Sequence, residues 1–154
     1  MKSLTIVTTW GPKYWPKPVQ AGIQSTVKNW PGHAKILLYP DDMSQQLDLP
    51  RTEYYNLCKE QPKLQEFMDR HKDNPKLNPR IKQNTQEQKA FDKDTSIYVY
   101  DAVRFSYKVF ACIDAYQKTK PDMLWFLDAD IVTFEKIPMS WLEHITPDSA
   151  FTSY

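Results

Sequence analysis

This chain has almost no glycine. Three glycines in 154 residues, none close to another, leave no Gly-rich phosphate loop, so P-loop and kinase-type nucleotide chemistry is disfavoured. Cysteine is scarcer still: Cys58 and Cys112 have neither the spacing of a metal knuckle nor that of a redox pair, and they read as free thiols. No charge of one sign prevails, with 20 Lys and Arg against 19 Asp and Glu, so nucleic acid and anionic membranes are not expected partners and any anion site must be local. No apolar run approaches bilayer-spanning length, and Met1-Lys2 leads into Leu4-Thr5-Ile6-Val7 without a signal-peptide core. No Asn-x-Ser/Thr acceptor occurs either, and the expectation is a soluble cytoplasmic protein without a membrane span. No internal repeat is visible, and His33, His71 and His144 are scattered, each reading as a lone surface or packing residue.

What is present suffices for one core. With 41% hydrophobic content, residues 1–154 are expected to form a single domain. Ser3 to Thr9 is a β-branched run stopped by Trp10-Gly11-Pro12, which predicts a strand and a loop. Val19, Ile23 and Val27 then recur at helical spacing after Pro16 and Pro18, and Trp30-Pro31-Gly32 closes that helix. Ala34 to Tyr39 predicts a second strand, ending in Asp41 and Asp42, and the three elements read as a βαβ unit. From about 45 to 96 the composition turns polar, with helical candidates at Thr52–Lys59 and Lys63–His71 and few apolar residues from Lys72 to Thr95; this reads as an insertion. A helix over about Asp101 to Lys118 follows, with Ala102, Phe105, Val109, Cys112, Ile113 and Tyr116 as its apolar stripe and Pro121 as its stop. A short helix to Ile145 and a last strand at Ser149–Thr152 complete the expectation of a mainly parallel α/β sheet flanked by helices.

The densest signal is Met123-Leu124-Trp125-Phe126-Leu127-Asp128-Ala129-Asp130, an apolar run ending in two acids. Such a run predicts a strand buried on both faces, and ligands in parallel sheets sit beyond the strands' carboxyl ends. Two carboxylates there make a hard oxygen site suited to Mg²⁺ or Mn²⁺ shared with substrate phosphates. Alternatively the pair merely caps the turn over Ile131 to Phe134. Arg104 and Lys108 share one face of the preceding helix, placed to meet phosphates or the aspartates, or simply solvated.

Together, the first strand ending in Thr8-Thr9 with aromatics after it, the second ending in Asp41-Asp42, the helix carrying Arg104-Phe105-Ser106-Tyr107-Lys108 and the Asp128-Ala129-Asp130 strand resemble the nucleotide-sugar half of a GT-A-fold glycosyltransferase, a Rossmann-like fold. The resemblance implies transfer of a sugar from a nucleoside-diphosphate donor to a saccharide or protein acceptor. It implies a Mn²⁺ or Mg²⁺ cofactor on Asp128 and Asp130, with Asp130 the direct ligand and Asp128 acting through water or on the donor's ribose or sugar. It also implies a donor site drawn from Thr8, Thr9, Tyr14, Asp41, Asp42, Arg104, Lys108 and Ala129 besides the aspartates, with Tyr14, Trp10 or Trp15 stacking on the base. Asp41 and Asp42 have a structural alternative as caps acting through Ser44.

Family members continue well beyond the Asp-x-Asp strand to build their acceptor site, whereas 24 residues (131 to 154) follow Asp130 here. The expectation is therefore a partial or truncated enzyme, poor at transfer alone, with a partner chain as one possible source of the acceptor half. A non-catalytic nucleotide-sugar-binding module is the alternative. Asp128-Ala129-Asp130 also matches the first motif of haloacid-dehalogenase-like phosphatases, but the later motifs of that chemistry have no room downstream.

Overall fold

A computed structural model describes residues 2–78 and 101–146. β1 (Leu4–Trp10) lies in the middle of the sheet, paired in parallel with β2 (Lys35–Pro40) on one side and β4 (Met123–Phe126) on the other. β3 (Thr52–Tyr54) pairs in parallel outside β2, so the described strands run β3-β2-β1-β4. The protein is thus α/β, with an all-parallel described sheet flanked by helices.

Strand alternation sends β1 side chains to two cores. Leu4, Ile6 and Trp10 join Ile36 and Leu38 under α1 (Val19–Asn29) and α5 (Met139–Ile145), while Val7 joins Leu37 and Tyr39 under α2 (Leu57–Glu60), α3 (Pro62–His71) and α4 (Ala102–Thr119). Leu4, Ile6 and Val7 are essentially inaccessible. Burial of each such side chain contributes roughly 2 kcal/mol.

Four expectations need correction. The Met123 strand is an edge among the described strands, and beyond Met123 its residues are only half-buried although they pack toward both cores; the deeply buried strands are β1 and β2. An apolar run registers contact with neighbours on both faces, and Trp125 beside Trp30 at 5.7 Å supplies such contact without a further strand. The α4 stripe is not its buried face: Val109 and Tyr116 are each 57% exposed, and Phe105 and Ile113 are exposed as well. α4 meets the sheet instead through Ala111, Asp114 and Ala115, flanked by Tyr107 and Phe110. Small side chains let the helix approach, and Asp114 is tolerated there because Tyr39 donates to it at 2.8 Å. The helix expected over Thr52–Lys59 is β3 followed by the short α2, capped by Asn56, whose side chain accepts from Lys59 N at 3.1 Å.

The fourth correction concerns the insertion, whose first part belongs to the fold. Gln45 is buried and accepts from Trp10 Nε1 at 3.1 Å, and Leu57 and Leu64 enter the second core. The remainder of the polar stretch, from 79 to 96, and the strand expected at Ser149–Thr152 lie outside the described residues. Among the described residues, no helix is long and apolar enough to cross a membrane.

Candidate functional site

The carboxyl ends of β1, β2 and β4 open into a cleft of about 670 Å³. Thr9, Tyr14, Asp41, Arg104, Lys108, Asp128, Ala129 and Asp130 all line it, so most of the residues singled out in the sequence converge here. Thr8 and Asp42 do not. Alternation along β1 buries Thr8 at 6% exposure beneath the Asp128-Ala129 turn, in a void of about 10 Å³, and its Oγ1 has no hydrogen-bond partner among the described residues. Asp42 is exposed and caps a turn, accepting from Ser44 N at 2.9 Å and Ser44 Oγ at 2.7 Å. Those bonds hold its carboxyl below the usual range.

α1 is the element that places the two aspartates. The turn after β4 is closed by main chain, Ile131 N donating to Asp128 O at 3.0 Å, which leaves both carboxylates to the cleft instead of to capping. The following loop is fastened along α1: Thr133 N donates to Ser25 Oγ at 2.9 Å, Trp30 Nε1 to Thr133 Oγ1 at 3.0 Å, and Ile137 N to Asn29 O at 2.8 Å. Asn29 Nδ2 donates to Thr133 O as well. Gly22 allows the closest approach, with Ala129 O packed where a Cβ would stand.

The opposite wall is the start of α4. Asp101, buried at 3% exposure, caps the helix by accepting from Arg104 N at 2.9 Å. Arg104 and Lys108, one turn apart, face the cleft. Arg104 Nη2 donates to Tyr14 Oη at 3.3 Å, and the Lys108 ammonium forms an ion pair with Asp128 Oδ1. Burial pushes the Tyr14 hydroxyl up, but Lys13 and Arg104 outweigh it and leave the phenol below its ordinary value. The aromatics expected to stack on a base are partly committed elsewhere: Trp10 is core and stacks on Trp15 at 6.0 Å, and Lys13 Nζ stands 4.8 Å from the Tyr14 ring centroid.

Asp41 is exposed by area yet crowded on its inner side, near Gly11 and the Tyr107 ring, and desolvation raises its carboxyl above the ordinary range. Because the native state then binds this proton more tightly than the unfolded chain, Asp41 opposes folding at neutral pH, and the penalty disappears as pH falls through the raised value. Asp41→Asn is expected to melt higher than the parent at pH 7 and to match it below about pH 3, where the acid is neutral in both states. Melting curves across that range check this; equal melting points at pH 7 would show that Asp41 is not desolvated.

The donor set fits a hard cation. Asp128 and Asp130 present carboxylate oxygens, with no thiol or imidazole among the described residues that line the cleft. Among the described residues no three His, Cys, Asp or Glu side chains form a metal cage, so a cation held by this pair would complete its shell with phosphate and water oxygens, as Mg²⁺ commonly does. Cys58 and Cys112 are free and half-buried, and burial pushes the Cys112 thiol up to about 11, which keeps it protonated at neutral pH.

The sequence reading missed Gly22, Asp101, Lys13 and Tyr107. A lone glycine within a helical pattern and an Asp just before one were the available signals for the first two. Fold and site define a parallel α/β protein with an acid-and-base-lined cleft at its strand ends. Compared with known proteins, the chain matches no family model, no curated protein and no solved structure.

Proposed function

We propose that this cleft binds a nucleoside-diphosphate sugar with Mn²⁺ or Mg²⁺, and that the chain is the donor-binding part of a GT-A-type glycosyltransferase. The observation that carries the reading is the convergence of Asp128 and Asp130 with Arg104 and Lys108 in one cleft at the sheet's carboxyl edge. Two acids alone would suit a bare cation and two bases alone a bare anion. Both sets together suit an anion that arrives with its cation.

When bound, the cation would supply Lewis-acid stabilisation of the departing diphosphate. Asp130, exposed on the turn, and Asp128 beside it would hold that cation. Arg104 and Lys108 would neutralise phosphate charge from the helix side, with the Asp101 cap holding the helix start and the Tyr14 hydroxyl accepting from the Arg104 guanidinium. Thr9 and Asp41, at the ends of β1 and β2, would meet the hydroxyl groups or base of the nucleoside. The acceptor, a saccharide or a protein, would meet the sugar from the open side, on elements outside the described residues or on a partner chain.

Calorimetric titration with UDP and GDP, with and without Mn²⁺, tests the reading. Metal is expected to tighten binding of one of them by about tenfold or more, and Asp130→Ala to lose that enhancement. Metal-independent binding of equal strength in both proteins would overturn the assignment.

A further inference from the structure

The side chain of Lys108 lines the cleft and is already paired with one of its two aspartates. Its ammonium pairs with Asp128 Oδ1 and stands 5.2 Å from the ring centroid of Phe126 and 5.5 Å from that of Phe105. At 33% side-chain exposure it is more sheltered than a typical surface lysine, and the two ring faces favour a cation at this place. Asp128 carries the more exposed half of the pair, at 53%, and opens to the cleft.

We propose that Lys108 is an internal counter-ion of Asp128 that a divalent cation must displace, and that an incoming diphosphate makes the displacement favourable by accepting the released ammonium. The inference rests on the donor-binding reading of the same cleft. A divalent cation bound by Asp128 would stand beside the ammonium, and like charges at such separations repel; a cation arriving alone must therefore also break the existing pair. The stem of Lys108 is fixed on α4 one turn from Arg104, so a small swing of the freed ammonium leaves it within the cleft and next to a second cation. That position suits a phosphate. Lysine fits the role better than arginine, because a single point charge on a flexible stem exchanges partners where a bidentate fork would grip Asp128. Cation and diphosphate then each strengthen the other's binding by the same factor, as linkage requires.

The test measures Mn²⁺ affinity by electron paramagnetic resonance of the free ion, with and without UDP or GDP, for the parent, Lys108→Met, Lys108→Gln and Arg104→Met, each checked for an unchanged melting curve. Both Lys108 variants are expected to bind Mn²⁺ alone several-fold more tightly than the parent, while the nucleotide's enhancement of Mn²⁺ binding shrinks from about tenfold toward none. Arg104→Met removes equal charge from the same cleft without touching the Asp128 pair. It is expected to weaken nucleotide binding and leave Mn²⁺ alone unchanged. If the Lys108 variants keep the parental Mn²⁺ affinity and coupling while the parent shows metal-enhanced nucleotide binding, the counter-ion role is overturned and the donor reading stands. If Arg104→Met tightens Mn²⁺ as much as the Lys108 variants do, the effect belongs to the general field of the cleft and the specific pairing is overturned. No metal-enhanced nucleotide binding by the parent would overturn the donor reading, and this inference with it.

Discussion

Gly22→Ala is expected to displace the Asp128-Ala129-Asp130 turn and to weaken metal-dependent nucleotide binding by one to two orders of magnitude while leaving a folded protein. An added Cβ would stand 2.2 Å from Ala129 O, with Ala129 C and Ile131 O each at 3.1 Å. These neighbours are main chain and cannot rotate aside, so either α1 or the turn must move. α1 is held by Val19 and Ile23, both buried against the sheet, whereas Asp128 and Asp130 lie exposed on the turn. The turn is the part that yields. Alanine gains about 1 kcal/mol of helix propensity over glycine, and overpacking typically costs about 1–3 kcal/mol, so the net loss of stability is small. A shift of about 1 Å in a positioning group can nevertheless cost about a hundredfold in what it positions. Calorimetry of the nucleotide with Mn²⁺, beside a melting curve, separates the two effects; parental affinity in a folded Gly22→Ala protein would show that the turn does not depend on this approach.

The largest loss of stability is expected from Asp114→Ala. Asp114 is 2% exposed between α4 and the sheet, and it accepts from Tyr39 Oη at 2.8 Å, Gln61 Nε2 at 2.9 Å and Lys118 Nζ at 2.9 Å. Lys118 also reaches Glu60 at 2.6 Å. Removal of the carboxylate leaves Tyr39 Oη without its acceptor, while Lys118 keeps Glu60 and Gln61 Nε2 keeps Gln117 Oε1 at 3.0 Å. Losing a hydrogen bond to a charged group typically costs about 1.5–3 kcal/mol, and because Tyr39 Oη is left buried without an acceptor the upper end applies, about 3 kcal/mol. For a domain of this size that corresponds to melting roughly 10 °C lower. Asp114→Asn, which keeps an acceptor for Tyr39, should lose less. A melting point within about 2 °C of the parent for Asp114→Ala would show that the network is not holding α4 to the sheet.

The same network has an alkaline signature. Burial pushes Lys118 down, but Glu60 and Asp114 outweigh it and leave its ammonium above the ordinary lysine value. A raised lysine stabilises the native state fully below the unfolded value, and that contribution is lost as pH rises through the folded one. The pair therefore holds at neutral pH and weakens only in strong alkali. Tyr39, raised by burial and then by its bond to Asp114, remains a donor throughout.

Much of this was legible along the chain because it depends on near neighbours. The β-branched run of β1, the helical spacing in α1 with its Trp30-Pro31 stop, and the acids closing β2 and β4 are local patterns, and each element appears within a residue or two of its expected place. The convergence of Thr9, Tyr14, Asp41, Arg104, Lys108, Asp128 and Asp130 was legible for a related reason. Consecutive parallel strands joined by helices put all their carboxyl ends on one edge.

What the sequence could not decide depends on which surfaces meet. An apolar stripe on α4 marks side chains averse to water, but Ala111 and Ala115 permit a closer approach to the sheet than Phe105 and Val109, and Asp114 has its hydrogen-bond partners only there. Thr8 and Thr9 are adjacent and chemically alike, yet the pleat buries one and gives the cleft the other. Gly22 is one glycine in a helix until Ala129 stands against it. The sequence by itself determined β1, α1, β2, α4 and β4 and the edge where acids and bases gather, because short-range periodicity and chain connectivity govern those. Only the tertiary structure decided that β3 joins the sheet and β4 stands at its described edge, which face of α4 is buried and that Lys108 pairs with Asp128, because pairing, packing distance and charge neutralisation are settled between residues far apart in the chain.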